Sequence, residues 1–537
     1  MKLNDSFFVL FRNCYLRTLI RNNVFRDTFI NIPTLEYLND NHKHLSVFSN
    51  DDKLKYNIFI RFKIIDYTNS LELSNHSHRH LVCAVNDIHR FLWDKEIVDF
   101  THLHDQIHRF SFCVEQETTS IKGKLPDSIV ELSVHTYSSS RFVSGALEQL
   151  LSDLPKNLRV LKLSEMFDLS SSKSKIVLPD SIVDVHYSGK STDYDRFVVG
   201  PNKVLKSACL LLNGSVQDID WLQDKQWINN VYIGTPVPKP IPSHVRKLDY
   251  YVGLGFGSND VDTVLETLPA KLEWLTGNKF TSNQNQQSIS TLIKQNLPCL
   301  KHLGLCRWEQ DLQNDTFPDC LEYLMIDKYN GDIVAGSLPL NLKILNLVTF
   351  NQLLKIGSLP NRIENLSLRS FNQPLQASVL PTQLQSLFLP RFNSTIEPNS
   401  LPLSLTSLKI SQFNGSFQGI GTLDNLRDLS ISTLNQSIVD TLVNAKKIKI
   451  TFKTIASNTS LTNTTITDLW LCNSKWNEAT TIQDDFLPPC LSILQLDQFD
   501  IKSINTIPPS CVSFTYNYKL LNTNFIPQSV KKIILNK

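Results

Sequence analysis

The apolar positions between Phe317 and Phe413 fall into one pattern that repeats. Leu338-Pro339 leads to Leu342, Leu345 and Leu347 and then to Phe350-Asn351; the same order restarts at Leu359, Leu380 and Leu401, 21 residues further on each time. The asparagine behind each aromatic recurs as well, at Asn351, Asn372, Asn393 and Asn414. Within one copy, Leu345-Asn346-Leu347 alternates as a short strand does, with Leu342 pointing inward just before it. Phe350 then fills the interior as the chain turns away. Pro339 has no N–H and a fixed φ, which suits the lead-in to a strand. Asn351 can satisfy turn backbone groups and tolerates left-handed geometry. One copy cannot bury its apolar side alone, whereas stacked copies bury a continuous core. A fixed period near twenty therefore predicts a solenoid.

The same template runs more loosely through most of the chain. Leu125-Pro126, Leu154-Pro155, Leu178-Pro179, Ile241-Pro242, Leu268-Pro269 and Leu297-Pro298 open earlier rungs, and Leu487-Pro488, Ile507-Pro508 and Ile526-Pro527 open the last ones. Uneven spacing places insertions at 135–153, 164–177, 188–200 and 251–266, and such insertions commonly map to loops on one side. Ahead of the rungs, residues 6–30 read as a helix capped by Asp5 or Ser6, with Phe8, Tyr15, Leu16 and Leu19 on one face. Residues 55–65 alternate and read as a strand. The expected organisation is a helical segment over 1–50, a strand and junction over 51–83 and a repeat solenoid over 84–537, sharpest at 317–434.

Phe371-Asn372-Gln373-Pro374-Leu375, followed by Phe392-Asn393-Ser394 and Phe413-Asn414-Gly415, resembles the FNIP-repeat family, a leucine-rich-repeat-like group. The resemblance implies an α+β chain: a parallel-β solenoid with short strands on its concave side and a small N-terminal helical segment. It also implies a protein-binding scaffold that is not an enzyme and needs no cofactor. Phe11 to Arg17 looks like the opening helix ahead of many such arrays, and some relatives carry an F-box there. A substrate-adaptor subunit of a ubiquitin ligase is accordingly the alternative. The Leu-Pro start and closing Trp of such a box are absent, so the helix is expected to cap the first rungs.

Composition narrows the partner. Lys and Arg number 53 against 51 Asp and Glu, which leaves no basic excess for a nucleic-acid footprint. No apolar run is long enough to span a membrane. The 10 cysteines include no C-x-x-C pair; Cys299, Cys320 and Cys490 share one repeat slot and read as small buried hydrophobes in a reduced, cytoplasmic protein. Nine of 13 histidines precede residue 110. His104 and His108, with Cys83 or Cys113, would suit a metal on a helix, but their rung phase puts them in a strand and turn, where that spacing does not converge. Gly253 to Ser258 lacks the spacing of a phosphate loop and reads as a turn. Candidate protein-binding residues are therefore outward strand positions. Among Lys343, Asn346, Asn365, Ser367, Arg369, Phe388, Lys409 and Trp470, the strongest are Arg369, Phe388, Lys409 and Trp470, since aromatics and arginine dominate interface energies. The final strand exposes an edge that Lys531, Lys532 and Lys537 would protect or that a second copy would cover.

Overall fold

The Leu-Pro pair closes a turn before it opens a strand. The Pro339 carbonyl accepts the Leu342 N–H at 3.1 Å, and Pro360, Pro381 and Pro402 accept from Ile363, Leu384 and Leu405 at 3.2, 3.1 and 3.2 Å. Each turn thus aims the first inward leucine at the core and hands the chain to a strand whose residues alternate between half-buried and buried. The computed structural model describes residues 13–65, 67–87, 97–101, 103–212, 215–235, 239–250, 268–277, 289–308, 311–314, 316–475, 478–518 and 523–535. The chain forms two compact units, Met1–Val245 and Arg246–Lys537, and each is a parallel-β solenoid of leucine-rich-repeat type.

In the second unit the strands are β10 (Lys247–Tyr250), β11 (Trp274–Gly277), β12 (His302–Arg307), β13 (Tyr323–Lys328), β14 (Ile344–Leu347), β15 (Asn365–Leu368), β16 (Ser386–Phe388) and β17 (Ser407–Ile410). They continue as β18 (Asp428–Ile431), β19 (Lys447–Phe452), β20 (Asp468–Asn473), β21 (Ile493–Asp497), β22 (Ser513–Asn517) and β23 (Lys532–Leu535). Each pairs in parallel with the next, leucine opposite leucine: Leu345 with Leu366, Leu366 with Leu387, Leu387 with Leu408. Behind them the phenylalanines form a fully buried column. Phe350, Phe371, Phe392 and Phe413 stack at 6.3, 6.2 and 5.7 Å between ring centroids, within 2°, 8° and 23° of parallel. The expected phenylalanine register is the observed one.

Asparagine holds the rungs in phase. The side-chain oxygens of Asn330, Asn351 and Asn372 each accept the backbone N–H of the asparagine one rung on at 2.7 Å, and Asn393 does the same for Asn414 at 3.0 Å. A second rung position needs left-handed backbone: Gly336 (φ 84°), Gly357 (79°), Ser378 (62°) and Asn399 (60°). Glycine costs least there. Ser378→Gly is expected to raise stability by about 0.5–1 kcal/mol, read as a higher urea midpoint with an unchanged slope.

The cysteine slot is a correction. Cys299 and Cys490 are exposed and Cys320 is half-buried. The Cys320 thiol donates to the carbonyls of Pro298 (3.0 Å) and Leu300 (3.2 Å), and the Cys490 thiol lies 3.4 Å from Ile466 O. Ser404 makes the same bonds from the same slot, to Thr382 O at 2.8 Å and Leu384 O at 2.6 Å. A side-chain donor here satisfies turn carbonyls of the preceding rung that no backbone N–H reaches. Cysteine serves in the place of serine.

The first unit starts with α1 (Cys14–Val24), β1 (Phe29–Ile32), α2 (Leu35–Leu45), α3 (Asn50–Lys55) and β2 (Phe59–Ile64). The helix expected over 6–30 is shorter at its C-terminal end, and the Asn13 side chain caps α1 by accepting from the Tyr15 and Leu16 N–H groups. Residues 29–32 pair in parallel with 59–62 instead, a contact that local periodicity cannot register. Phe8 and the expected caps Asp5 and Ser6 lie outside the described residues. The ladder continues through β3 (Ala84–Asp87), β4 (Arg109–Cys113), β5 (Glu131–His135), β6 (Val160–Leu163), β7 (Asp184–Gly189), β8 (Leu205–Leu212) and β9 (Ile228–Ile233).

Its three described insertions fold onto one another. Fully buried Asp193 accepts from Arg141 (2.9 Å) and from the backbone N–H groups of Lys190 (2.8 Å) and Leu169 (3.1 Å). Arg196 grips Glu148 on α4 (Gly145–Ser152) through two bonds of 2.6 and 2.7 Å. The fourth insertion, 251–266, lies outside the described residues.

Candidate protein-binding face

Every second strand residue of the second unit faces away from the core, and the pairing fixes who stands beside whom. One outward row runs Met325, Asn346, Ser367, Phe388, Lys409 and Ser430 across β13 to β18. Phe388 and Lys409 are therefore immediate neighbours about 4.8 Å apart along the sheet. Phe388 is half-buried, and Lys409 reaches Asp428 at 3.0 Å. Arg369, exposed just after β15, lies on the rung before Phe388. Asn346, expected to be exposed, is half-buried in the same row.

Trp470 belongs to a second outward row, opposite Lys449 and Gln495. It is half-buried: its indole N–H donates to Asp497 at 2.5 Å, and the Lys449 ammonium sits 3.7 Å from its ring. The structure thus sets Phe388 beside Lys409, Arg369 in the turn after the strand one rung earlier, and Trp470 three strands beyond Lys409.

That second row also carries an aromatic ladder the sequence reading missed. Trp274, His302 and Tyr323 stack face to face at 3.2 and 3.8 Å, and Lys247 covers the outer face of Trp274 at 4.6 Å. Burial first, and then the Lys247 charge, hold His302 down to about 4. The signal was present: all three precede the central inward leucine of their rung, as Ile344 and Asn365 do. Aligning the looser rungs at that one position would have shown it.

The metal candidates have another role. His108 is buried with its Nδ1 unpaired, and its backbone N–H donates to the Cys83 carbonyl at 2.8 Å. Among the described residues, no three His, Cys, Asp or Glu side chains are placed to hold a metal ion. Burial, with the Arg79 charge for His104 and the Lys53 charge for His108, brings both rings to about 4 from 6.5. The folded pKa lies below the unfolded one, so the folded state binds fewer protons in between. The contribution to stability is whole above pH 6.5 and is lost as pH falls toward 4. The urea midpoint is expected to drop between pH 7 and 4.5, and less steeply in His108→Gln; parallel pH profiles for the two proteins would contradict this origin.

A family model of the FNIP repeat matches residues 350–391, which hold Phe350, Phe371 and the asparagines behind them. The chain carries FNIP repeats. No curated protein matches it. Solved structures with a similar fold include CroV588, described as a circular leucine-rich-repeat protein (TM-score 0.48, 20% identity, over 87% of this chain and 67% of that one). The mouse RP105/MD-1 complex is another (TM-score 0.42, 12% identity, over 82% and 87%). The FNIP motif now has a physical reading: its Phe builds the buried column and its Asn the ladder that phases the rungs. No described helix is long and apolar enough to cross a membrane.

Proposed function

We propose that this FNIP-repeat chain is a non-catalytic scaffold that binds a protein partner on the outward strand face of its second unit, with Arg369, Phe388, Lys409 and Trp470 at the contact. One observation carries the reading: parallel pairing sets an exposed Arg, a half-buried Phe and a Lys on successive rungs, the residue mix that interface centres favour. The repeat and the leucine-rich-repeat-like fold support an interaction role. Contacts of α1 through Leu19 and its polar face support capping, whereas Tyr15, expected on the capping face, is exposed. Leu19 packs on Phe48, Tyr56 and Ile58, and Asp52 accepts from Arg21 and Asn22 at 3.4 and 2.6 Å. The test is affinity capture with the full chain. Phe388→Ser and Trp470→Ser should each release a partner that Ile356→Ser, on an exposed return (71% exposed), retains. Identical partner sets for all three variants would defeat the proposal.

A further inference from the structure

We infer that the partner presents an extended acidic peptide segment to the rungs from β15 to β19, an inference that rests on the strand face being the binding face. Six cations lie in or just after these strands: Arg369, Arg391, Lys409, Lys447, Lys449 and Lys453. Lys409 has Asp428 and Lys447 has Asp468, each at 3.0 Å, and Lys449 lies over Trp470. The other three are exposed and have no ion-pair partner among the described residues. The acids of this stretch are Asp428, already engaged, Glu364 just before β15, and Glu397, Asp424 and Asp440 on the turns and returns between strands. The floor between the cations is hydroxyl-rich: Ser367, Ser407 and Ser430 alternate along the rows with Phe388 and Lys409.

Charge and size together select the ligand. Carboxylates would complement the unpaired cations, accept from the hydroxyls, and leave Phe388 as the apolar contact. From Arg369 to Lys453 the chain climbs four rungs, roughly 19 Å at the sheet spacing. An extended peptide covers that in about six residues. A nucleic acid fits less well, because stacked bases need free aromatic faces. Here Lys449 occupies the Trp470 face and Phe388 is half-buried.

The test uses the full chain and labelled peptides of about ten residues, alternating Glu with Ser or Lys with Ser, plus a single-stranded oligonucleotide as a second polyanion. The Glu peptide should bind, weaken with added salt, and lose about tenfold in affinity in the Arg369→Glu, Lys453→Glu double variant. Lys173→Glu, on the first unit, should leave affinity unchanged. Failure of the Glu peptide to bind, equal binding of the Lys peptide, or preference for the oligonucleotide would overturn the inference. Should the Glu peptide fail while captured partners still depend on Phe388, only the acidic class falls. Partners indifferent to both Phe388 and Trp470 would remove the binding face itself.

Discussion

Phe371→Ala is expected to cost about 3–5 kcal/mol of the second unit's stability. The ring is fully buried between Phe350 at 6.3 Å and Phe392 at 6.2 Å. Its neighbours cannot close the gap, because the rung spacing is pinned twice. The strands on one side are paired leucine to leucine, and Asn351 and Asn372 on the other bond to the next rung at 2.7 Å. A hole that cannot collapse keeps its full cavity penalty. Phe371→Leu, which retains most of the volume, should lose far less. Stability in a repeat array is close to a sum over neighbours, so the alanine variant should also split the urea transition into two as the rungs on either side uncouple. A loss below about 1 kcal/mol would mean the column carries little of the core.

Asp193→Ala should be as damaging in the first unit, again at about 3–5 kcal/mol. The carboxylate is fully buried and takes three donors, Arg141 at 2.9 Å and the Lys190 and Leu169 N–H groups at 2.8 and 3.1 Å. Alanine leaves two amides without an acceptor and a partly buried guanidinium with no counter-charge in Asp193's place, still held by the Phe167 carbonyl and the Tyr187 hydroxyl at 3.0 Å each. Asp193→Asn should rescue only in part, since its NH2 must face either the Leu169 N–H or the Arg141 and Lys190 donors. Adding Arg141→Met to Asp193→Ala should recover part of the loss, because it removes the orphaned charge. Urea unfolding of the wild type, Asp193→Ala, Arg141→Met and the double variant gives the cycle. Strict additivity would show that the pair is not coupled.

Both predictions rest on residues of different legibility. Phe371 was readable because its burial follows from a period, and a period is a local property of the chain. The inward leucines and the asparagine slot were readable for the same reason: side-chain direction in a strand alternates every residue, and turn chemistry acts over four. Asp193 was not. Its partners, Arg141 and Leu169, come from two other insertions, and nothing in one insertion announces the charge carried by another. The helix read over 6–30 ran too far for the same reason. Residues 29–32 leave the helical pattern for a strand partner some 30 residues away.

The binding candidates fall between these cases. Alternation alone put Phe388, Lys409 and Trp470 on the outward face of their strands. Pairing of distant rungs decided that Phe388 meets Lys409, that Asp497 and Lys449 enclose Trp470, and that Trp274, His302 and Tyr323 form a ladder. By itself the sequence determined the rung, its core and its spacing, since these are set by contacts within about twenty residues or by exact repetition. Only the tertiary structure decided what each outward side chain touches, because those neighbours lie a full rung away and do not repeat.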